Sequence, residues 1–315
     1  MPQQTTFPAG MLARLKLFLA LSRTMHGVID MTTPMLCALL WLGRLPAPGV
    51  AGLGLITVFA GYTAIYALND LVDLSFDRTR MAHTPTEFEA EGYLDLDSAL
   101  MRHPLAQGAL SLKEGIIWTS AWAGLAMLGA WLLNPVCLLI LLAAALLEVV
   151  YCLLVRISPY RTVINGLVKT AGPIAAVLAV DPGPDPLFLG TLFLCLFAWE
   201  VGGQNIPNDW TDMDLDRSVG ARTMVVRYGT NTASILSLCA VSLALILSFW
   251  LFALSPLVFS GLHFLLLTLA GGGLLLLPAF WLNRKQERQQ AMTLFNLASF
   301  WPFSLFLIVL VKLMA

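Results

Sequence analysis

Charge is scarce in this chain. Of 315 residues only 12% are Asp, Glu, Lys or Arg, while 58% are hydrophobic and mean hydropathy is +0.79. A soluble domain is about one-quarter charged, so a soluble globular fold is excluded and a polytopic membrane protein is expected. One bilayer crossing takes about 20 apolar residues, which leaves room for roughly eight or nine crossings and no separate soluble domain. A chain of this kind has the bilayer as partner and is not expected to bind nucleic acid. There is no C-x-x-C spacing. Cys37, Cys137, Cys152, Cys195 and Cys239 all lie in apolar runs and read as small core residues. His26, His83, His103 and His263 lack metal-ligand spacing, and nothing catalytic is assigned to them. The N-terminus shows no basic segment leading into a short apolar stretch with a cleavage site, so no signal peptide is expected.

What is present is a series of apolar runs. Nine helices are predicted, near 15–43, 51–69, 115–133, 136–155, 163–180, 187–204, 232–254, 258–282 and 293–314. Pro- and Gly-bearing stretches such as Leu45-Pro46-Ala47-Pro48-Gly49, Asn134-Pro135 and Asp181-Pro182-Gly183-Pro184 separate several of them. With nine crossings, most Lys and Arg residues between the runs fall on one face of the membrane; Arg44 and Lys312 fall on the other. The positive-inside tendency then places the N-terminus in the cytoplasm and the C-terminus across the membrane. The expected location is a prokaryotic cytoplasmic membrane.

One motif occurs twice. Asn69-Asp70-Leu71-Val72-Asp73-Leu74-Ser75-Phe76-Asp77 recurs as Asn208-Asp209-Trp210-Thr211-Asp212-Met213-Asp214-Leu215-Asp216, and Arg follows both copies. Both read N-D-x-x-D-x-x-x-D at the predicted cytoplasmic end of a span. The chain is read as one domain, 1–315. Similarity outside the motif is weak, which leaves open whether halves near 15–155 and 156–315 are duplicated as well. Residues 78–114 and 205–231 are long enough to form caps over a site at the membrane surface. The first of these carries an acidic patch of Glu87, Glu89, Glu91, Asp95 and Asp97.

On a continuous helix, positions 0, 3 and 7 share an arc of about 60°. Asp70, Asp73 and Asp77 would then share a face, as would Asp209, Asp212 and Asp216, while Asp214 falls off the arc. Asn69 and Asn208 can add carbonyl oxygens. Oxygen ligands without Cys or His suit a hard cation such as Mg²⁺, which also binds phosphate oxygens. Two facing clusters could clamp a diphosphate through Mg²⁺ and stabilise it as it leaves an allylic carbon. Aromatic faces such as Trp118, Trp199, Trp210 or Phe197 could steady the resulting cation, at about 0.5–2 kcal/mol each. Within the spans, Lys169 is either a diphosphate contact or the counter-ion of a carboxylate; Asp30 and Glu148 read as interhelical hydrogen-bond partners. Glu200 is a candidate to face the cavity, although the neighbouring Gly202-Gly203 could equally mark close helix packing.

These residues resemble the UbiA superfamily of intramembrane prenyltransferases, from roughly Arg23 to the last helix. The two aspartate motifs carry most of the resemblance. Gly220-Ala221-Arg222-Thr223-Met224, Arg23 with Pro34, the set Tyr151, Arg156 and Asn165, and Arg102 with Pro104-Leu105 and Gly108 are similar to further family patterns. The resemblance implies nine helices around a central cavity and two Mg²⁺ ions. It also implies prenyl transfer from an isoprenoid diphosphate to an aromatic, quinone-precursor, tetrapyrrole or lipid acceptor. Asp70, Asp73, Asp209 and Asp212 would be catalytic metal ligands, with Asn69, Asp77, Asn208 and Asp216 completing the set. Lys169, Arg222, Arg156, Arg102 and Tyr151 would contact the diphosphate, with Arg23 and Glu200 in the cavity. Three departures stand out: residues 78–101 intervene between Asp77 and Arg102, His103 stands where Arg is common, and Ser158 where Lys is common. The competing readings are a terpene cyclase of the same fold, a polyprenyl-phosphate glycosyl-phosphate transferase and a cation-coupled transporter.

Overall fold

The computed structural model describes residues 10–83 and 100–314. The acidic patch at Glu87, Glu89, Glu91, Asp95 and Asp97 lies outside them. Among the described residues, nine helices are long and apolar enough to cross a membrane: Thr24–Leu42, Pro48–Val72, Leu112–Leu133, Pro135–Leu153, Arg161–Val180, Pro186–Thr211, Met224–Leu254, Gly261–Lys285 and Arg288–Met314. We number these spans one to nine in chain order.

Local chemistry explains several span ends. Pro135 opens span four at the first helical position, where its missing N–H costs nothing, and the Asn134 side chain accepts from Val136 N at 3.0 Å. Span three starts in a capping box of Ser111 and Glu114. Gly43 ends span one in the left-handed region at φ 65°, and a Cβ there would meet Pro256 at 2.7 Å.

Several predicted elements differ from the structure. The single helix expected at 15–43 is three pieces, Met11–Leu21, Thr24–Asp30 and Thr32–Leu42; Met31 interrupts the last two only slightly, and the sharp break is where Arg23 turns left-handed at φ 43°. No Pro or Gly marks that break. The break holds the Arg23 guanidinium 3.4 Å from Asn69 Oδ1. The loop expected at 205–231 is largely helical: span six continues to Thr211 through a π-helical turn at Glu200–Asn205, and span seven already begins at Met224. Likewise, the helix Leu74–His83 takes in residues 78–83 of the expected 78–114 cap.

Spans adjacent in sequence pack as pairs, two on three, four on five and six on seven. Span one packs on spans five and nine, which closes the bundle. Apolar residues such as Leu139, Leu146 and Ile246 point outward and are exposed, as a lipid-facing surface requires. The π-helical turn lies tight against span seven. A Cβ on Gly202 would sit 2.6 Å from Ala240 Cβ, and the Ser237 hydroxyl donates to the Gly202 carbonyl. The wide turn therefore both packs closely and re-aims Glu200, Gln204 and Asn205.

Candidate active site

Both aspartate motifs break their helix at the same position. Span two ends at Val72, Asp73 adopts φ −82°, ψ 1°, and a new helix runs Leu74–His83. In the second copy Ile206–Thr211 ends, Asp212 adopts φ −109°, ψ 9°, and Met213–Ser218 follows. The one continuous acidic face expected from helical spacing is thus corrected to two short helices meeting at the middle aspartate. The bend turns the third aspartate of each copy back toward the first. All six aspartates, with Asn69 and Asn208, line one cavity of about 180 Å³. Asp214 stays exposed outside it, beside Arg217.

The first rim is Asp70, Asp73 and Asp77. His103 Nδ1 lies 3.3 Å from Asp70 Oδ1 and 3.0 Å from Asp77 Oδ2, and Arg23 is 3.8 Å from Asp70. Burial opposes a charge on His103, yet the two carboxylates beside it outweigh that and push its pKa up to about 9. Asn69 Nδ2 donates to Glu148 Oε1 at 2.7 Å, which ties the rim to span four. The second rim is Asp209, Asp212 and Asp216. Arg80, from the helix after the first motif, forms an ion pair with Asp212 and so links the rims. Burial pushes Asp73 and Asp216 each up to about 6; Asp77 adds repulsion at the first, and at the second Arg80 only partly offsets the effect.

The donors fit a divalent cation. Among the described residues, Asp209 Oδ2 and Asn205 Oδ1 are buried without a hydrogen-bond partner. Donor atoms of Asp70, Asp77 and His103 all lie within 4.8 Å of one another. Crowded carboxylates with raised pKa values and unsatisfied oxygens are relieved by positive charge.

Deeper in, Lys169 Nζ donates to Asp30 Oδ2 at 2.8 Å and to the Tyr66 hydroxyl at 2.5 Å, and Tyr66 donates to the same Asp30 oxygen at 2.5 Å. Lys169 therefore neutralises a carboxylate. Glu200 lines the cavity and accepts from Asn165 at 2.8 Å, while Gly202 and Gly203 pack closely, so both readings of that segment hold. Beyond Ile65, Tyr66 and Lys169 lies a second cavity of about 310 Å³ with a nearly all-apolar lining; those three residues border both chambers.

Arg23, Arg102, Tyr151, Lys169 and Glu200 reach the polar cavity as expected from the sequence; Arg156 and Arg222 do not. Arg156 is exposed, its guanidinium 5.2 Å from the Phe76 ring centroid, because the turn after span four carries it outside the rim. Arg222 is exposed as well, with its backbone N–H on Val155 O and its side chain on Ile157 O. The aromatic candidates are also corrected. Trp199 and Trp210 are buried in the packing between spans, Trp118 donates to Ser22, and Phe197 covers Gly166. The rings that line the chambers include Tyr62, Tyr66, Phe76, Tyr151, Phe295 and Phe306. Arg161, Arg80, His103 and Asn205 were missed. Arg161 lies buried over Tyr151, 4.1 Å from the ring centroid. Its signal was available: Arg161, Asn165 and Lys169 recur every fourth residue and form a polar stripe on span five.

A sequence profile described as the UbiA prenyltransferase family matches residues 31–303. The chain belongs to the UbiA prenyltransferase family. It is an enzyme and an integral membrane protein. Among UbiA-type relatives, two named digeranylgeranylglyceryl phosphate synthase are similar. The one from Thermococcus kodakarensis is 24% identical over 277 residues, 88% of this chain and 90% of that protein. The one from Thermococcus sibiricus is 26% identical over 221 residues, 70% of this chain and 71% of that protein. The fold matches a UbiA homologue from Aeropyrum pernix with TM-score 0.69 and 20% identity, covering 91% of this chain and 97% of the other. It also matches an Archaeoglobus fulgidus UbiA homologue bound to DMAPP and Mg²⁺ with TM-score 0.64 and 18% identity, covering 93% and 99%.

Proposed function

We propose that this prenyltransferase uses Mg²⁺ to move a prenyl group from an isoprenoid diphosphate to a phosphate-bearing lipid alcohol. The observation that carries the reading is an acidic, polar chamber adjoining an apolar one, with Ile65, Tyr66 and Lys169 in the walls of both. The diphosphate would sit between the rims, with Asp70, Asp73 and Asp77 on one side and Asp209, Asp212 and Asp216 on the other. Asn69, Asn205 and Asn208 add amide oxygens. Bound Mg²⁺ supplies the positive charge that stabilises the departing diphosphate. Arg102 and Arg161 would neutralise oxygens that face away from the rims. Tyr66 and Lys169 flank the throat between the chambers, and their pairing with Asp30 offsets the Lys169 charge beside the tail.

The prenyl tail would run down the apolar chamber. Along span two its lining reaches from Tyr66 to Val50, roughly 24 Å of helix. An extended chain advances roughly 1.2 Å per bond, so about five isoprenoid units fit. A lipid acceptor is favoured by the two synthases named above, whose product is a glyceryl phosphate lipid by name. Most basic residues between the spans lie on the same side as the acidic rims, which supports a cytoplasmic opening.

The test is turnover of purified protein with Mg²⁺, a C20 prenyl diphosphate and a prenylated glyceryl phosphate, followed by product mass. An ether-linked adduct with released pyrophosphate is expected. A cyclic hydrocarbon formed without acceptor would instead make the protein a cyclase.

A further inference from the structure

The two rims share a motif but not their donor chemistry. Among the described residues the second rim offers oxygen ligands, and the group paired with it is the Arg80 guanidinium, which has no lone pair to give a metal. The first rim has an imidazole. His103 Nδ1 lies 3.0 Å from Asp77 Oδ2 and 3.3 Å from Asp70 Oδ1. Neighbouring ligands about an ion bound at about 2.1 Å stand roughly 3 Å apart, so these separations match a shared ion.

His103 is also held in place. It adopts a left-handed backbone at φ 48°, a conformation a non-glycine residue keeps only when its surroundings enforce it. The following turn does so. Gln107 N donates to His103 O at 3.1 Å, and Ala109 N and Leu110 N both donate to Pro104 O. Gln107 Nε2 donates to Arg102 O at 2.7 Å. Leu105 is 2% exposed and packs toward Gly115. Residues that no helix restrains are thereby locked, with the imidazole facing two carboxylates.

We infer that His103 is a metal ligand: the first rim binds its divalent ion through Asp70, Asp77 and the imidazole Nδ1, and this mixed site prefers a first-row transition ion such as Mn²⁺ to Mg²⁺. This rests on the reading that the rims hold metal. Imidazole suits transition ions, whereas Mg²⁺ takes oxygen. The second rim keeps the oxygen-only preference, so the two ions of one active site are distinguishable.

The probe is Mn²⁺ alone on the full-length protein in detergent, read by pulsed EPR. Wild-type protein is expected to show ¹⁴N modulation that changes to the ¹⁵N pattern after ¹⁵N-histidine labelling. His103→Gln and His103→Arg should lose it. In His103→Gln, Mn²⁺ affinity should fall about tenfold, with a smaller fall for Mg²⁺. Labelled wild-type protein that binds Mn²⁺ with no histidine coupling overturns the inference, and His103 is then an imidazolium paired to the carboxylates. Prenyl transfer is assayed on the same preparation. Transfer without nitrogen coupling overturns the ligand assignment alone; coupling without transfer supports the ligand and removes the proposed reaction.

Discussion

The two acidic rims are the same nine-residue pattern in different company. Each breaks at its middle aspartate, so the backbone device is local and repeated. Their counter-charges are not. The first rim meets Arg23 from the break in the first helix and His103 from the turn before span three. The second meets Arg80, which belongs to the helix of the other motif, while Arg161 at the start of span five lies near both rims. A motif thus dictates its own bend, while distant segments dictate what charge it sees. The bend depends on a few dihedrals, and the neighbours depend on the whole bundle.

The largest expected effect tests whether both rims are needed. Asp70→Ala and Asp209→Ala should each lower Mg²⁺-dependent pyrophosphate release by about a thousandfold, the scale of losing a principal charge-stabilising group. Membrane insertion and expression should persist. A loss confined to one rim would break the pairing, and full activity in EDTA would reject the metal role for both.

The throat differs from the rims because its charges already satisfy each other. Lys169→Met would strand Asp30 inside a span, at a cost of about 3–5 kcal/mol. Thermal unfolding in detergent should show this, with Asp30→Asn in the same chain restoring much of it. A loss that Mg²⁺ reverses would instead move Lys169 into the metal-binding set.

pH separates the rims in the metal-free protein. His103 keeps its proton to about pH 9 when folded, against 6.5 in the ordinary case. Its pairing therefore contributes fully below pH 6.5 and is lost as pH rises through 9. Asp73 and Asp216 titrate near 6, and the advantage of their neutral forms is lost between 3.8 and 6. In EDTA, the melting temperature should fall by a few degrees between pH 7 and pH 10. His103→Gln should flatten that fall; an unchanged slope would assign it elsewhere.

The smallest effects belong to the residues outside the cavity. Arg156→Ala and Arg222→Ala should change turnover by about twofold or less, as surface substitutions do. A large loss in either would return it to the diphosphate site.

Much of this site was legible. The six aspartates stand in register, and Arg23, Arg102 and Tyr151 fell to the cavity because motif resemblance marks position along the chain. Arg222 and Arg156 failed for the same reason: sequence position cannot say which way an arginine leaves a turn. Spacing along the chain does not mark His103, because its partners Asp70 and Asp77 belong to another element. Arg161 falls just before the helix predicted at 163–180, although its four-residue stripe with Asn165 and Lys169 is legible. The aromatic candidates failed because every span is apolar on most faces, so periodicity does not tell a cavity face from a packed one.

By itself, then, the amino-acid order determined a nine-span membrane protein with two acidic helix ends, since hydrophobic length and charge placement act locally against the bilayer. Tertiary structure alone decided which cation faces which rim, where the apolar chamber meets the polar one, and that His103 looks onto two aspartates. Those outcomes come from contacts between segments far apart in the chain, set by how the spans close around one another.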